Sequence, residues 1–148
     1  MAKKKSQSQI TEAIRKRCVK IAKDICKELA GYKCAYCERT KAQGWQMHGS
    51  HIYPEGIYKA MSADPDNILC LCATHHNGGP WKGKTEKSWH EDPIYFADWF
   101  RENYPELYIL LKKRSQDIQH GMGEYEWTLK LQELKKQYKE LCSIKSSS

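Results

Sequence analysis

From Ile10 the apolar side chains recur at Ile10, Ile14, Cys18, Ile21, Ile25 and Leu29, in steps of three and four that trace one stripe of an α-helix. Gly31 marks its end, since a glycine just past a helix readily takes the left-handed conformation. Lys16, Lys20, Lys23 and Lys27 keep the same rhythm on another face, so one side can pack while the other meets phosphate. Before this helix, residues 1–9 hold lysines, serines and glutamines with almost no apolar anchor and are expected to form a disordered basic tail. Residues 32–80 lose the helical period. Short strands are predicted near Gln46–His48 and Ile68–Leu71, and a short helix from Ala73 to the Gly78-Gly79-Pro80 stop. Residues 81–91 read as a polar connection. Asp92-Pro93 then has the form of a helix start, with Tyr95, Phe96, Trp99 and Phe100 as a bulky apolar face. Pro105 opens a further helix through Leu107, Leu110 and Leu111 that Gly121-Met122-Gly123 breaks, and Trp127, Leu131, Leu134, Tyr138 and Leu141 stripe the last one. Aromatics at such spacing predict core packing, and helices that wrap the central segment.

The chain has 148 residues, enough for one domain of modest core. No apolar run approaches a membrane span and the N-terminus has no hydrophobic signal core, so no membrane partner and a cytoplasmic location are expected. The net charge is +7. Residues 1–33 hold ten Lys/Arg against three acids, and the remainder balances at fifteen of each, so all the excess sits in the N-terminal segment. Such a segment either favours a polyanion, most often nucleic acid, or forms a solvated face.

Cysteine spacing sharpens the picture. Cys34-Ala35-Tyr36-Cys37 is followed, after 34 intervening residues, by Cys72-Ala73-Thr74-His75. Two such knuckles can close a tetrahedral site of three sulfurs and one nitrogen, the donor set of structural zinc, in a segment too short and polar to build a core of its own. Cys70 would share a strand face with Cys72 and competes with His75 as the fourth ligand. Cys18, Cys26 and Cys142 lie on predicted helices and read as small apolar residues. Seven cysteines, an odd number, argue against a full disulfide framework.

Between the knuckles runs Gln46-Met47-His48-Gly49-Ser50-His51-Ile52-Tyr53-Pro54, and after it Asp66-Asn67-Ile68 leads to His75-His76-Asn77. This order of histidine, asparagine and histidine, interleaved with the zinc knuckles over about residues 32–80, resembles the HNH endonuclease family, and within it phage NinG-like recombination endonucleases. The resemblance implies an α+β fold with a small ββα-metal (His-Me finger) core, a structural zinc, and N- and C-terminal helices wrapped around it as one nuclease domain over residues 10–148. It implies a metal-dependent DNA endonuclease of a bacterial or phage-infected cell, leaving 5′-phosphate and 3′-hydroxyl ends. His51 would be the general base and Asn67 the residue that orients its loop. His76 would hold a catalytic divalent cation, Mg²⁺ or Mn²⁺. Many members place an acid or histidine just before the base, where this chain has Ser50. Serine is a poor ligand, so Ser50 or His48 would have to complete the site, and on a regular strand His48 and His51 face opposite ways. His76 could instead join His75 at the zinc. His90 and His120 fall in polar connections and carry no signal. A non-catalytic zinc-stabilised DNA-binding module is the alternative function, needing neither Asn67 nor a second metal.

Overall fold

The computed structural model describes residues 4–79, 83, 85–117 and 121–148. Its elements are α1 (Gln7–Leu29), β1 (Met47–His51), β2 (Ile68–Cys72), α2 (Ala73–Asn77), α3 (Pro93–Asn103), α4 (Pro105–Asp117) and α5 (Glu124–Ser146), with single 3-10 turns at Lys41–Gln43, Lys59–Met61 and Pro65–Asn67. The architecture is α+β: a two-stranded antiparallel sheet among helices.

α1 starts earlier than its apolar stripe predicts, inside the segment expected to be disordered. The cause is a capping box: the Ser6 side chain accepts from the Gln9 backbone, and the Gln9 side chain accepts from Ser6 N–H. The buried face also lies slightly to one side of the stripe, on Arg15, Cys18, Val19, Ala22, Ile25 and Cys26, while Leu29 is exposed. α1 packs along α5 and also against both strands. Trp127, Leu131 and Leu134 of α5 join Cys18, Ile25 and Leu71 in one core cluster. Cys18 and Cys26 are buried in it, as small apolar residues should be, and each thiol donates to a backbone carbonyl, of Trp127 and Ile68 respectively. At the far end Lys145 bridges back to Glu28 at 2.6 Å.

β1 runs on to His51, past the predicted end at His48. Gly49 and Ser50 have weak strand preference, but they pair with Cys70 and Leu69 beneath α1. Gly49 allows that cover. A Cβ there would lie 2.7 Å from Lys23 Cγ and 2.9 Å from Lys23 Cβ, so only glycine lets α1 approach so closely. α3 and α4 form a helical pair, and Arg114 of α4 reaches Asp64 and Asp66 at 2.7 and 2.9 Å, fastening it to the Pro65–Asn67 turn. No helix among the described residues is long and apolar enough to cross a membrane.

Candidate metal centre and imidazole cluster

The thiols and imidazole of Cys34, Cys37, Cys72 and His75 converge with all four ligand atoms within 4.8 Å of one another, and this group can hold a metal ion. Sulfurs 37 and 72 stand 3.9 Å apart, and His75 Nδ1 is 3.1 Å from Cys72 and 3.9 Å from Cys34. A tetrahedron with metal–sulfur bonds of about 2.3 Å has edges near 3.8 Å, so the spacing of the donors is consistent with zinc. Cys70 is excluded from the group: its thiol is buried and pushed up to about 11 by desolvation, and its carbonyl accepts from Ala35 N–H. Cys34, by contrast, is lowered to about 7 by the hydrogen bond from Cys72, which favours the thiolate a metal needs.

Outer contacts hold the ligands in place. His75 Nε2 lies 3.8 Å from Glu86, which itself is bound to Arg39 at 2.8 Å and accepts from Gly83 N–H. A carboxylate behind a ligating histidine fixes its tautomer and raises its basicity. Tyr36, inside the first knuckle, stacks near His75, Phe96 and Trp99 with ring centroids 4.7, 5.0 and 5.2 Å away. The bulky face of α3 therefore closes over the knuckles.

His51 ends β1. Its Nε2–H donates to the Ser62 carbonyl at 2.7 Å, which leaves Nδ1 as the unprotonated nitrogen, 3.7 Å from Glu55. Desolvation depresses its pKa below 6.5; Ser62 and Glu55 work against that shift, and Lys23 and Arg15 add to it. The ring is therefore neutral at neutral pH and able to accept a proton.

Asn67 is fully buried and spends its whole side chain on the loop after β1. Its Oδ1 accepts from Tyr53 N–H at 2.8 Å, and its amide donates to the carbonyls of Tyr53 and Met61, both at 3.1 Å. These bonds clamp both ends of the 53–61 segment, next to Ser62. Arg15 completes the frame from α1. Only 6% exposed, it binds Glu12, Glu55 and the Ser62 hydroxyl, at 2.6, 2.9 and 3.0 Å. Nothing in the sequence separates Arg15 from its basic neighbours, because its role depends on a loop forty residues away.

His48 and His76 meet Nδ1 to Nδ1 at 2.9 Å. Burial first, then the charges of His90, His48, Lys23 and His51, lower His76 to about 3. His48 is also lowered, by desolvation and then by Lys27 and Lys23. The Lys23 charge thus lowers the pKa of His48, His51 and His76 alike. Lys27 pairs with Asp24 at 3.0 Å, while Lys16 and Lys20 are exposed. Ser50 is 1% exposed, and its hydroxyl is buried with no hydrogen-bond partner among the described residues. His90, given no role from sequence, lies with its ring centroid 4.7 Å from that of His76. His120 lies outside the described residues.

Comparison with family models, with curated proteins and with solved structures returned no match.

Proposed function

We propose that the chain is a metal-dependent DNA endonuclease built on a ββα-metal core, with zinc in the Cys34/Cys37/Cys72/His75 site. The observation that carries this reading is the state of His51: one nitrogen is committed to a backbone carbonyl and the other is left bare beside a carboxylate, on a loop clamped by a buried asparagine. A satisfied structural histidine needs no such frame.

In this mechanism His51 Nδ1 takes the proton from a water as that water attacks the scissile phosphorus. Asn67 keeps the loop, and Arg15 keeps Ser62, so that the ring does not turn away. Lys23 supplies positive charge to a phosphate lying across β1, and Lys16, Lys20 and Lys27 extend that charge along α1. His48 and His76, with ring nitrogens 2.9 Å apart, would hold a divalent cation. The chemistry that such a cation would supply is neutralisation of charge on the phosphate and on the 3′ leaving oxygen.

Supercoiled plasmid with a divalent metal provides the test. Wild-type protein nicks or linearises it, and His51→Ala lowers the rate by about 10²–10⁴-fold while leaving DNA affinity unchanged. Undiminished cleavage by His51→Ala refutes the assigned base. The second reading, a zinc-stabilised DNA-binding module without catalysis, draws on Ser50, whose buried hydroxyl stands where a ligand is expected. It gains if the wild type binds DNA yet leaves the plasmid intact with every metal.

A further inference from the structure

His90 reaches His76 through a defined piece of backbone. α2 is only five residues long and ends in exposed carbonyls. The segment before α3 satisfies them: Trp89 N–H donates to the His75 carbonyl at 2.8 Å and His90 N–H to the His76 carbonyl at 3.1 Å. Ser88, fully buried, sets the turn, donating to Glu91 and accepting from the Glu91 backbone. Gly78 permits the approach. Its φ is +77°, in the left-handed region, and a Cβ there would meet the Glu91 carboxylate. The turn is thereby held against α2, and the rings of residues 76 and 90 meet edge to face.

We infer that His90 is the third protein ligand of the cation held by His48 and His76, and that this all-imidazole site takes a late first-row transition ion such as Ni²⁺, Co²⁺ or Zn²⁺ in preference to Mg²⁺. His76 meets both of the other rings, His48 at 2.9 Å between nitrogens and His90 at 4.7 Å between ring centroids. Among the described residues only the cysteine-containing group has one ligand atom per residue within 4.8 Å of all the others, so His90 must swing its exposed ring inward to complete the site. Imidazole nitrogen suits borderline ions, whereas Mg²⁺ demands oxygen ligands and retains its water.

The inference rests on the proposed nuclease reading for the use of the cation, not for its binding. Calorimetric titration of Ni²⁺ into protein carrying one zinc per chain, in the cysteine site, reads binding without any cleavage. One Ni²⁺ is expected beyond the zinc, with Mg²⁺ at least about a hundredfold weaker. His90→Ala is expected to weaken Ni²⁺ by at least about tenfold and leave zinc content and the far-UV spectrum unchanged. His76→Ala serves as the reference for loss of a central ligand. Wild-type Ni²⁺ affinity in His90→Ala, or Mg²⁺ binding as tight as Ni²⁺, overturns the inference even if plasmid cleavage is intact. Three-histidine Ni²⁺ binding in a protein that cleaves nothing sustains it while the nuclease reading falls.

Discussion

His75 and His76 are neighbours on one short helix, yet they belong to regions of opposite character. The first is 2% exposed, turned into three thiols and backed by Glu86 and a wall of aromatic rings. The second is half-buried among other imidazoles and in the field of Lys23, at the edge of the sheet. Consecutive helical residues point about 100° apart, so five residues are enough to serve both regions. The closed cluster has the enclosure of a structural site. The open one keeps its imidazoles partly exposed and paired with one another, at some cost in stability from polar groups held together. Structure and chemistry are thus divided across a single peptide bond.

The sharpest way to break this contrast is to remove one ligand from the closed region. Cys37→Ser should lose zinc and cooperative folding together, since the metal supplies several kcal/mol to a domain whose total is about 5–15 kcal/mol. Thermal unfolding followed by circular dichroism, with zinc content, measures it; the same experiment on His76→Ala should leave the fold intact. If both variants melt alike, the division is wrong.

Asn67→Ala falls between the two regions. It strips partners from one N–H and two carbonyls in a buried place, which should cost about 3 kcal/mol and lower cleavage as well. Denaturant titration beside plasmid cleavage checks both halves.

Smaller effects separate the lysines. Lys23→Ala should weaken DNA binding and reduce the slope of log affinity against log salt by about one, and it should slow cleavage further than Lys16→Ala or Lys20→Ala. Equal effects at all three positions would make Lys23 one phosphate contact among several.

The smallest effect is a shift in pH. A general base acts when neutral, so the rate rises as pH passes upward through the His51 pKa. That pKa lies below 6.5, and the acid limb should lie below it too. Glu55 raises the pKa, so Glu55→Gln should move the limb further toward acid without changing the plateau. A limb that moves the other way would deny Glu55 this influence.

Much of this was legible before any coordinates. The helices followed from apolar spacing and from proline and glycine punctuation, and the metal group from the two knuckles, because ligand spacing in a tight turn is a local property. Cys70 against His75 was open in the sequence, and the folded chain settled it: the ligand atoms of Cys34, Cys37, Cys72 and His75 converge, and Cys70 is not among them. The early start of α1 was in principle readable from Ser6 and Gln9, a pattern masked by the lack of apolar residues around it.

The remaining assignments required the folded chain. Arg15 looks like any basic helix residue until the loop carrying Glu55 and Ser62 closes on it, and His90 looks like linker until the turn before α3 caps α2. Lys23 stands apart from its periodic partners only because Gly49 leaves room beside it. Periodicity and ligand spacing are written into consecutive residues, whereas a half-buried polar cluster is assembled from separate segments of the chain, and its members are chosen by which backbone groups need partners.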